Sequence, residues 1–148
     1  MKRINVITLK QIREKSVLVE TKRVSSPNDA AEIIHKIFEP EHELVEVAGL
    51  LSLNTKNEVV GAHHISRGTI NAAIVSPREI FKAALMNNAV SIVLFHNHPS
   101  GHTHPSNEDI RMTENMVEAG KVLGIEVLDH IITGFDGDFL SLKSQGLM

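Results

Sequence analysis

The sequence contains no cysteine, no tryptophan and no tyrosine, and its five phenylalanines are the only aromatic residues. Without cysteine the chain has no disulfide framework, no cysteine-ligated zinc finger and no thiol nucleophile. The same absence excludes a zinc nucleobase deaminase, because the ligand pattern of that class requires cysteine. The hydrophobic core must therefore rest on aliphatic side chains and methionine.

Long hydrophobic runs are absent as well. No apolar run approaches the roughly 18–20 residues of a membrane span, and charges interrupt the first residues too often for a signal peptide. We therefore expect a cytoplasmic protein that does not bind membranes. The 148 residues, of which 42% are apolar and 22% charged, fit a single domain that buries about 68–70% of its unfolded surface.

Positive charge is concentrated at the start of the chain, although the net charge is −3. Residues 1–23 carry seven Lys or Arg against two acidic residues, a local net of +5, whereas the remainder carries eight against sixteen, a net of −8. Such a basic segment can contact nucleic acid or a protein partner. No aromatic residue lies among these charges, so a base-stacking surface is not supported. A solvated face beside an N-terminal strand is the interpretation that we favour.

The spacing of the apolar residues predicts an α/β fold, in which helices pack on a mixed β-sheet. Residues 16–24 alternate loosely and predict an exposed or edge strand, which with the following helix forms a preface of about forty residues. Two segments combine a serine cap, a proline at the first helical position and an acidic residue three positions after the serine. These helix starts are Ser26-Pro27-Asn28-Asp29 and Ser76-Pro77-Arg78-Glu79.

The remaining predicted elements give the order β-α-β-β-α-β-α-β-β. A third helix should run from Ser106 to Gly124. Residues 54–57 are predicted as the turn of a hairpin. The predicted strands after the first are residues 44–53, 58–65, 90–95, 125–133 and 139–142, with a short extended piece at 72–75.

The central stretch of the sequence is residues 92–109, IVLFHNHPSGHTHPSNED. His96 and His98 end a short apolar run, and side chains two apart on a strand point to the same side. Asp109, at a helix start, can reach back to them. Two His and one Asp, with a position left for water, are the ligand count of a catalytic zinc site. The alternative for Asp109 is a helix cap that the helix dipole favours.

A second pair, His102 and His104, repeats the pattern His-x-His-Pro-Ser. Position separates the two pairs, because a buried strand holds ligands to the tolerance that a catalytic metal needs, whereas a Gly/Pro-flanked loop does not. We favour His96 and His98 as ligands and expect His102 and His104 on the loop surface.

Glu46 lies inside the apolar run of the predicted strand 44–53. Burying a carboxylate is costly unless it has a partner or a raised pKa, so Glu46 is a candidate general base. The alternative is an edge position where it reaches water. With the metal ligands and the Ser106 hydroxyl, Glu46 completes the inventory of metal-assisted hydrolysis.

The other candidate residues are assigned structural roles. His63 and His64 are adjacent on one strand and face opposite ways, so at most one can approach the site. His130 is predicted to be a hydrogen-bonded core histidine, and His35 a surface histidine. Arg78 either binds a substrate carboxylate or lies on the surface, which we favour.

Taken together, Glu46, His96-Asn97-His98, Ser106 and Asp109 resemble the JAMM (MPN-plus) metalloprotease pattern: Glu, a distant His-x-His, seven residues, Ser, two residues and Asp. More narrowly, the chain resembles the bacterial RadC family from about residue 46 to its end. The resemblance runs through the segments GTIN, VSPREIFKAAL, HNHPSG, PSNEDI and LDHII. The helix-hairpin-helix region of longer family members is not recognisable.

The resemblance implies a JAB/MPN (cytidine-deaminase-like) architecture in which His96, His98 and Asp109 hold zinc. It implies further that Glu46 takes a proton from the zinc-bound water and that Ser106 donates a hydrogen bond to the oxyanion. The implied activity is hydrolysis of peptide or isopeptide bonds in a protein or peptide substrate. The alternative is a non-catalytic metal-binding module associated with DNA repair or replication, which binds DNA or a protein partner.

Overall fold

The computed structural model describes residues 1–68 and 75–148. Within these ranges the chain forms three α-helices, one short 3-10 helix at Pro40–His42 and five β-strands. The helices are α1 (Pro27–Phe38), α2 (Pro77–Met86) and α3 (Asn107–Leu123), and the strands are β1 (Val47–Leu53), β2 (Val59–Arg67), β3 (Ser91–Asn97), β4 (Glu126–Thr133) and β5 (Phe139–Ser141).

The five strands form one mixed sheet in the order β2-β1-β3-β4-β5. The β3–β4 pair is parallel and the other pairs are antiparallel. Two parallel strands need a crossover connection, which α3 supplies between β3 and β4. The start of α3 therefore lies near the C-terminal end of β3. The predicted α/β fold with a mixed sheet is therefore confirmed.

The central strands β1 and β3 are buried on both faces of the sheet, which places helices on either side. Leu50 and Leu94 belong to one core cluster, which includes residues of α2 and α3. Leu51 and Phe95, their chain neighbours, belong to the other cluster, which contains the apolar face of α1. Alternate residues of a strand point to opposite faces, so a continuous apolar run serves both clusters.

Two helix starts with the same sequence pattern fold differently. At α1 the predicted capping box forms: Ser26 Oγ accepts from the Asp29 backbone N–H at 3.2 Å, and Asp29 Oδ2 accepts from the Ser26 backbone N–H at 2.9 Å. At α2 the helix begins at Pro77 as predicted, but Ser76 makes no side-chain cap. The predicted box is wrong there, because the Glu79 carboxylate pairs with Lys82 at 2.7 Å instead.

The predicted strand at residues 16–24 does not form. Residues 1–22 adopt neither helix nor strand, and the pairing is one isolated bridge between Arg23 and Glu58. Leu18 is 91% exposed, so its side chain adds no buried apolar surface to a longer ladder. The preface is thus an extended basic arm followed by α1.

Two further predictions concern the extended piece at 72–75 and the location of the protein. The predicted extended piece at 72–75 lies, apart from Val75, outside the described residues. In the described part of the chain, no helix combines the length and apolar character that crossing a bilayer requires. The cytoplasmic location stays a prediction.

Candidate metal centre

Two imidazoles meet at the C-terminal end of β3. Residues 92–95 are all buried in the centre of the sheet, and His96 is only 1% exposed. His98 follows directly after the strand, and its Nε2 atom lies 3.0 Å from Nε2 of His96. The structure therefore brings the strand-borne pair together, with both rings facing one point.

Asp109 completes this group from the first turn of α3. Its Oδ1 lies 3.3 Å from His96 Nε2, and its Oδ2 lies 3.3 Å from His98 Nε2. Oδ2 also accepts from the Ser106 backbone N–H at 2.8 Å, which makes Asp109 part of a capping box. One carboxylate thus caps α3 and also faces both imidazoles, so the cap does not prevent Asp109 from serving as a ligand.

The geometry of the three side chains fits a tetrahedral metal ion. Zinc–ligand bonds of about 2.0–2.2 Å at tetrahedral angles place ligand atoms roughly 3.3–3.5 Å apart, close to the observed separations of 3.0 and 3.3 Å. His98 Nδ1 donates to the His102 carbonyl at 2.7 Å, so in the neutral imidazole Nε2 carries the lone pair that a metal would take. His96, His98 and Asp109 could therefore hold a metal ion.

Electrostatics keep the carboxylate of this group charged. Burial by itself raises the pKa of Asp109, but hydrogen bonds with His96 and His98 hold that pKa well below its usual value. The hydrogen bond with Asp109 raises the pKa of His98 against the opposing effect of burial, and the charge of Glu46 adds to the rise. A strongly acidic ligand beside two imidazoles provides the negative charge that a divalent cation needs.

Glu46 lies immediately before β1 and is half-buried, so its predicted place inside a strand is wrong. The chain bends at residues 44 and 45, and Leu44 is 93% exposed. Ala48 is the register partner of His96, which puts Glu46, two residues earlier, at the same end of the sheet as His98. The influence of Glu46 on the pKa of His98 agrees with this placement.

Asn97, between the two histidines, explains the bend before β1. Its Oδ1 accepts from the Val47 backbone N–H at 2.6 Å, and its Nδ2 donates to the Val45 carbonyl at 3.2 Å. Nδ2 also lies 3.3 Å from the Pro40 carbonyl. The side chain thus bonds to the peptide groups on both sides of Glu46. The amide of Asn97 therefore fixes the segment that carries Glu46 to β3.

Ser106 caps α3, since its Oγ accepts from the Asp109 backbone N–H at 3.1 Å. A hydroxyl that accepts through a lone pair keeps its hydrogen for another partner. The side chain is exposed and sits beside the metal ligand that it caps. Ser106 can therefore donate a hydrogen bond toward a molecule bound at the site.

The remaining histidines lie outside the metal group. His102 and His104 are exposed in the loop, and Arg78 is exposed in α2. His63 bonds to the side chain of Asn87, and His64 packs edge-on against a phenylalanine ring. His35, predicted on the surface, is half-buried, and its Nδ1 lies 2.8 Å from Glu41 Oε2.

His130 is the hydrogen-bonded core histidine that the sequence predicted. Its Nε2 lies 2.7 Å from Nδ1 of His96, and its Nδ1 lies 2.6 Å from Thr113 Oγ1. Sequence reasoning missed both contacts and missed Thr113 entirely. The one local signal was the spacing of Thr113 four residues after Asp109, which places them on one face of a helix.

Sequence comparison places this chain among curated relatives described as UPF0758 proteins. A UPF0758 protein of Methanosarcina mazei is 46% identical over 128 residues, 86% of this chain and 54% of that protein. A UPF0758 protein of Alkaliphilus metalliredigens is 48% identical over 126 residues, 85% of this chain and 53% of that protein. The chain spans about half the length of the curated relatives it matches.

The family assignment covers the whole sheet and the metal group. The family model described as a RadC-like JAB domain matches residues 24–147, and only the basic arm and the last residue lie outside it. The matched part includes His96 in β3, His98 directly after it and Asp109 in α3. The chain belongs to the RadC-like JAB domain family.

Proposed function

We propose that this chain is a zinc-dependent hydrolase of peptide or isopeptide bonds. The observation that carries the proposal is that the Nε2 atoms of His96 and His98 and the carboxylate oxygens of Asp109 lie 3.0–3.3 Å from one another. The segment that carries Glu46 is fixed at the same end of the sheet. JAB domains are often zinc-dependent hydrolases, which supports the same reaction class.

The ligand side chains define where the reaction would occur. His96 and His98 would hold the ion through Nε2, and Asp109 through a carboxylate oxygen. When bound, zinc polarises a substrate carbonyl and lowers the pKa of water to about 7. The side chains of His98 and Asp109 are 17% and 13% exposed, so a substrate can approach from their side.

Two further residues would handle the proton and the developing charge. Glu46 would take a proton from the attacking water and deliver it to the leaving amine, as a general base and then acid. Ser106 would donate its hydroxyl hydrogen to the oxygen of the tetrahedral intermediate. A comparable oxyanion donor is worth about 2.7–4 kcal/mol at the transition state.

The test separates metal binding from turnover. We expect purified protein to hold one equivalent of zinc by elemental analysis, and His98→Ala and Asp109→Ala to lose it. Glu46→Gln should keep the zinc but lose hydrolysis of a fluorogenic peptide library and of an isopeptide-linked set. Glu108→Gln, an exposed neighbour of Asp109, is the matched control and should change neither property.

Two results would contradict the proposal. Equal zinc content in wild type, His98→Ala and Asp109→Ala would mean that the metal sits elsewhere. Undiminished turnover in a zinc-loaded Glu46→Gln variant would remove Glu46 from the reaction.

The basic arm supports a second candidate function, a metal-binding module that contacts DNA in repair or replication. Residues 1–23 carry a net charge of +5, lie outside the family match and leave their side chains mostly exposed. Lysine and arginine side chains that neutralise DNA phosphates release counterions. The logarithm of the binding constant should therefore fall linearly with the logarithm of the salt concentration.

This candidate is tested by anisotropy of labelled duplex DNA between low and physiological salt. Deleting residues 1–21 should abolish a salt-dependent signal that Lys82→Gln plus Lys143→Gln, on the folded domain, leaves unchanged. DNA binding that survives the deletion would place the contact elsewhere on the protein.

A further inference from the structure

A buried chain of hydrogen bonds links two of the three metal-ligand candidates behind the site. His96 Nδ1 lies 2.7 Å from His130 Nε2, and His130 Nδ1 lies 2.6 Å from Thr113 Oγ1. Thr113 Oγ1 in turn donates to the Asp109 carbonyl at 2.7 Å. His130 is 1% exposed and Thr113 is fully buried, so water does not compete for these bonds.

We infer that His130 and Thr113 are positioning residues, which orient His96 for metal binding and fix the first turn of α3 against it. This inference rests on the proposed function in one respect, that a metal binds at His96, His98 and Asp109. It assigns a role to two residues that are not themselves ligands and do not touch the substrate.

The bonding pattern permits only one direction of donation when His96 holds a metal through Nε2. His96 Nδ1 then carries the hydrogen, so His130 Nε2 must accept it. His130 Nδ1 must therefore carry its own hydrogen and donate to Thr113 Oγ1. The single hydroxyl hydrogen of Thr113 remains for the Asp109 carbonyl. Each donor has one acceptor, and the network is complete.

The same pattern excludes His130 as a ligand or as a charged group. Its Nε2 lone pair is already used by His96, and a hydrogen at that nitrogen would face the Nδ1 hydrogen of His96. Neutral His130, with the hydrogen on Nδ1, is the state that satisfies both neighbours. The network therefore selects the tautomer of His96 that exposes Nε2 to the metal.

The backbone holds His130 firmly enough for this role. Its N–H donates to Asp129 Oδ1 at 2.7 Å, and its carbonyl accepts from the Leu142 N–H at 3.0 Å. Asp129 Oδ2 also accepts from the Ser141 hydroxyl at 2.6 Å. β4 and β5 thus fix the imidazole, which in turn connects β3 to α3. Distances between His96 and Asp109 depend on this connection.

The experiment compares four variants in two pairs. His130→Ala removes the acceptor for His96, whereas His130→Gln keeps an acceptor oxygen and a donor amide. Thr113→Val removes the hydroxyl at constant shape, and Thr113→Ser keeps it. Zinc affinity is measured by competition with a chelator, and long-range ¹H–¹⁵N NMR assigns the imidazole hydrogens in metal-free and zinc-loaded protein.

We expect the zinc affinity of His130→Ala to fall about 10–100-fold, as for other outer partners of metal-bound histidines. Thr113→Val should lose less, Thr113→Ser should match wild type, and His130→Gln should recover part of the loss. In zinc-loaded wild type, the hydrogen of His130 should sit on Nδ1. His63→Ala, a half-buried histidine outside the metal group, is the control and should leave affinity unchanged.

Failure of this inference is distinguishable from failure of the proposed function. Wild type that binds no zinc would refute the proposed function. Wild type that binds zinc no more tightly than His130→Ala and Thr113→Val would refute the positioning role alone. A hydrogen on Nε2 of His130 in loaded wild type would also refute it. The Thr113 pair and the wild-type NMR assignment apply even if His130→Ala does not fold.

Discussion

The two His-x-His-Pro-Ser segments of this chain have nearly the same sequence and very different structures. His96 lies near the end of a buried central strand and His98 directly follows that strand, with their Nε2 atoms 3.0 Å apart and a carboxylate facing both. His102 and His104 lie exposed in the loop that follows. The supporting backbone and neighbours thus decide whether a His-x-His pair is brought together with a carboxylate, and the residue pattern by itself does not determine it.

The largest difference between the two pairs is expected when the first histidine of each is replaced by alanine. His96→Ala should lower zinc affinity by more than the roughly 10–100-fold cost of removing an outer partner, because a ligand itself is lost. His102→Ala, at the equivalent position of the second pair, should stay within about twofold of wild type, since only the backbone carbonyl of His102 contacts His98. Chelator competition measures both, and equal losses would show that the pairs share the metal.

The middle residues of the two pairs provide the second test. Asn97→Ala leaves the buried N–H of Val47 without its acceptor, which costs about 1–3 kcal/mol per unsatisfied group. Because the segment carrying Glu46 is then released, turnover should fall much more than zinc content does. Thr103→Ala, the equivalent change in the loop pair, is the control. Urea unfolding measures the stability, elemental analysis the zinc content and peptide hydrolysis the turnover. An equal loss of zinc content and turnover would mean that Asn97 does not act by positioning Glu46.

The third test uses the buried histidine that supports the first pair. Burial holds the pKa of His130 well below its ordinary value, with His96, His98 and Asp109 as its charged or titratable neighbours. The unfolded chain then binds a proton near pH 6.5 that the folded chain does not, so stability is full above that pH and falls below it. The slope contributed is at most about 1.4 kcal/mol per pH unit.

We expect the unfolding free energy of chelator-treated protein to fall less steeply between pH 6.5 and 5 in His130→Gln than in wild type. Urea titrations at half-unit pH intervals measure the difference. Ser52→Ala, at a buried position without a titratable group, controls for general destabilisation. Identical slopes in wild type and His130→Gln would mean that His130 takes up no proton on unfolding.

The smallest effect is expected for the second pair as a whole. Exposed side chains away from special features change stability by less than about 0.5 kcal/mol when substituted. The double variant His102→Ala plus His104→Ala should therefore match wild type in thermal midpoint, zinc content and turnover. A reduced zinc content in this variant would assign the loop a role in metal capture.

Local patterns predicted much of the fold and the three side chains that the structure brings together as a candidate metal group. The serine-proline start of α1, the glycine end of α3 and the apolar run of β3 all encode their structure in a few neighbouring residues. The ligand pair was separable from the loop pair on the same grounds.

Contacts between distant segments were not predictable in the same way. Asn97 and Val47 are fifty residues apart in the sequence. The hydrogen bond between them lies where β1 begins, one residue after Glu46, and the spacing of apolar residues does not predict it. Thr113 resembles any helical threonine until β4 brings His130 against it. At residues 16–22 the alternation was present but the segment forms no strand, because tertiary packing decides whether such a segment becomes one.

The capping box of α3 has a consequence for how the group His96, His98 and Asp109 would take up a metal ion. Asp109 is held in place by Ser106 through backbone bonds that need no ion, so the ligand cage is assembled when the chain folds. In domains whose ligands are unstructured before binding, metal binding supplies the folding free energy. Here the ordering cost is met when the chain folds, so we expect the protein to be folded without a metal ion, and the fraction that binds zinc to follow the concentration of free zinc.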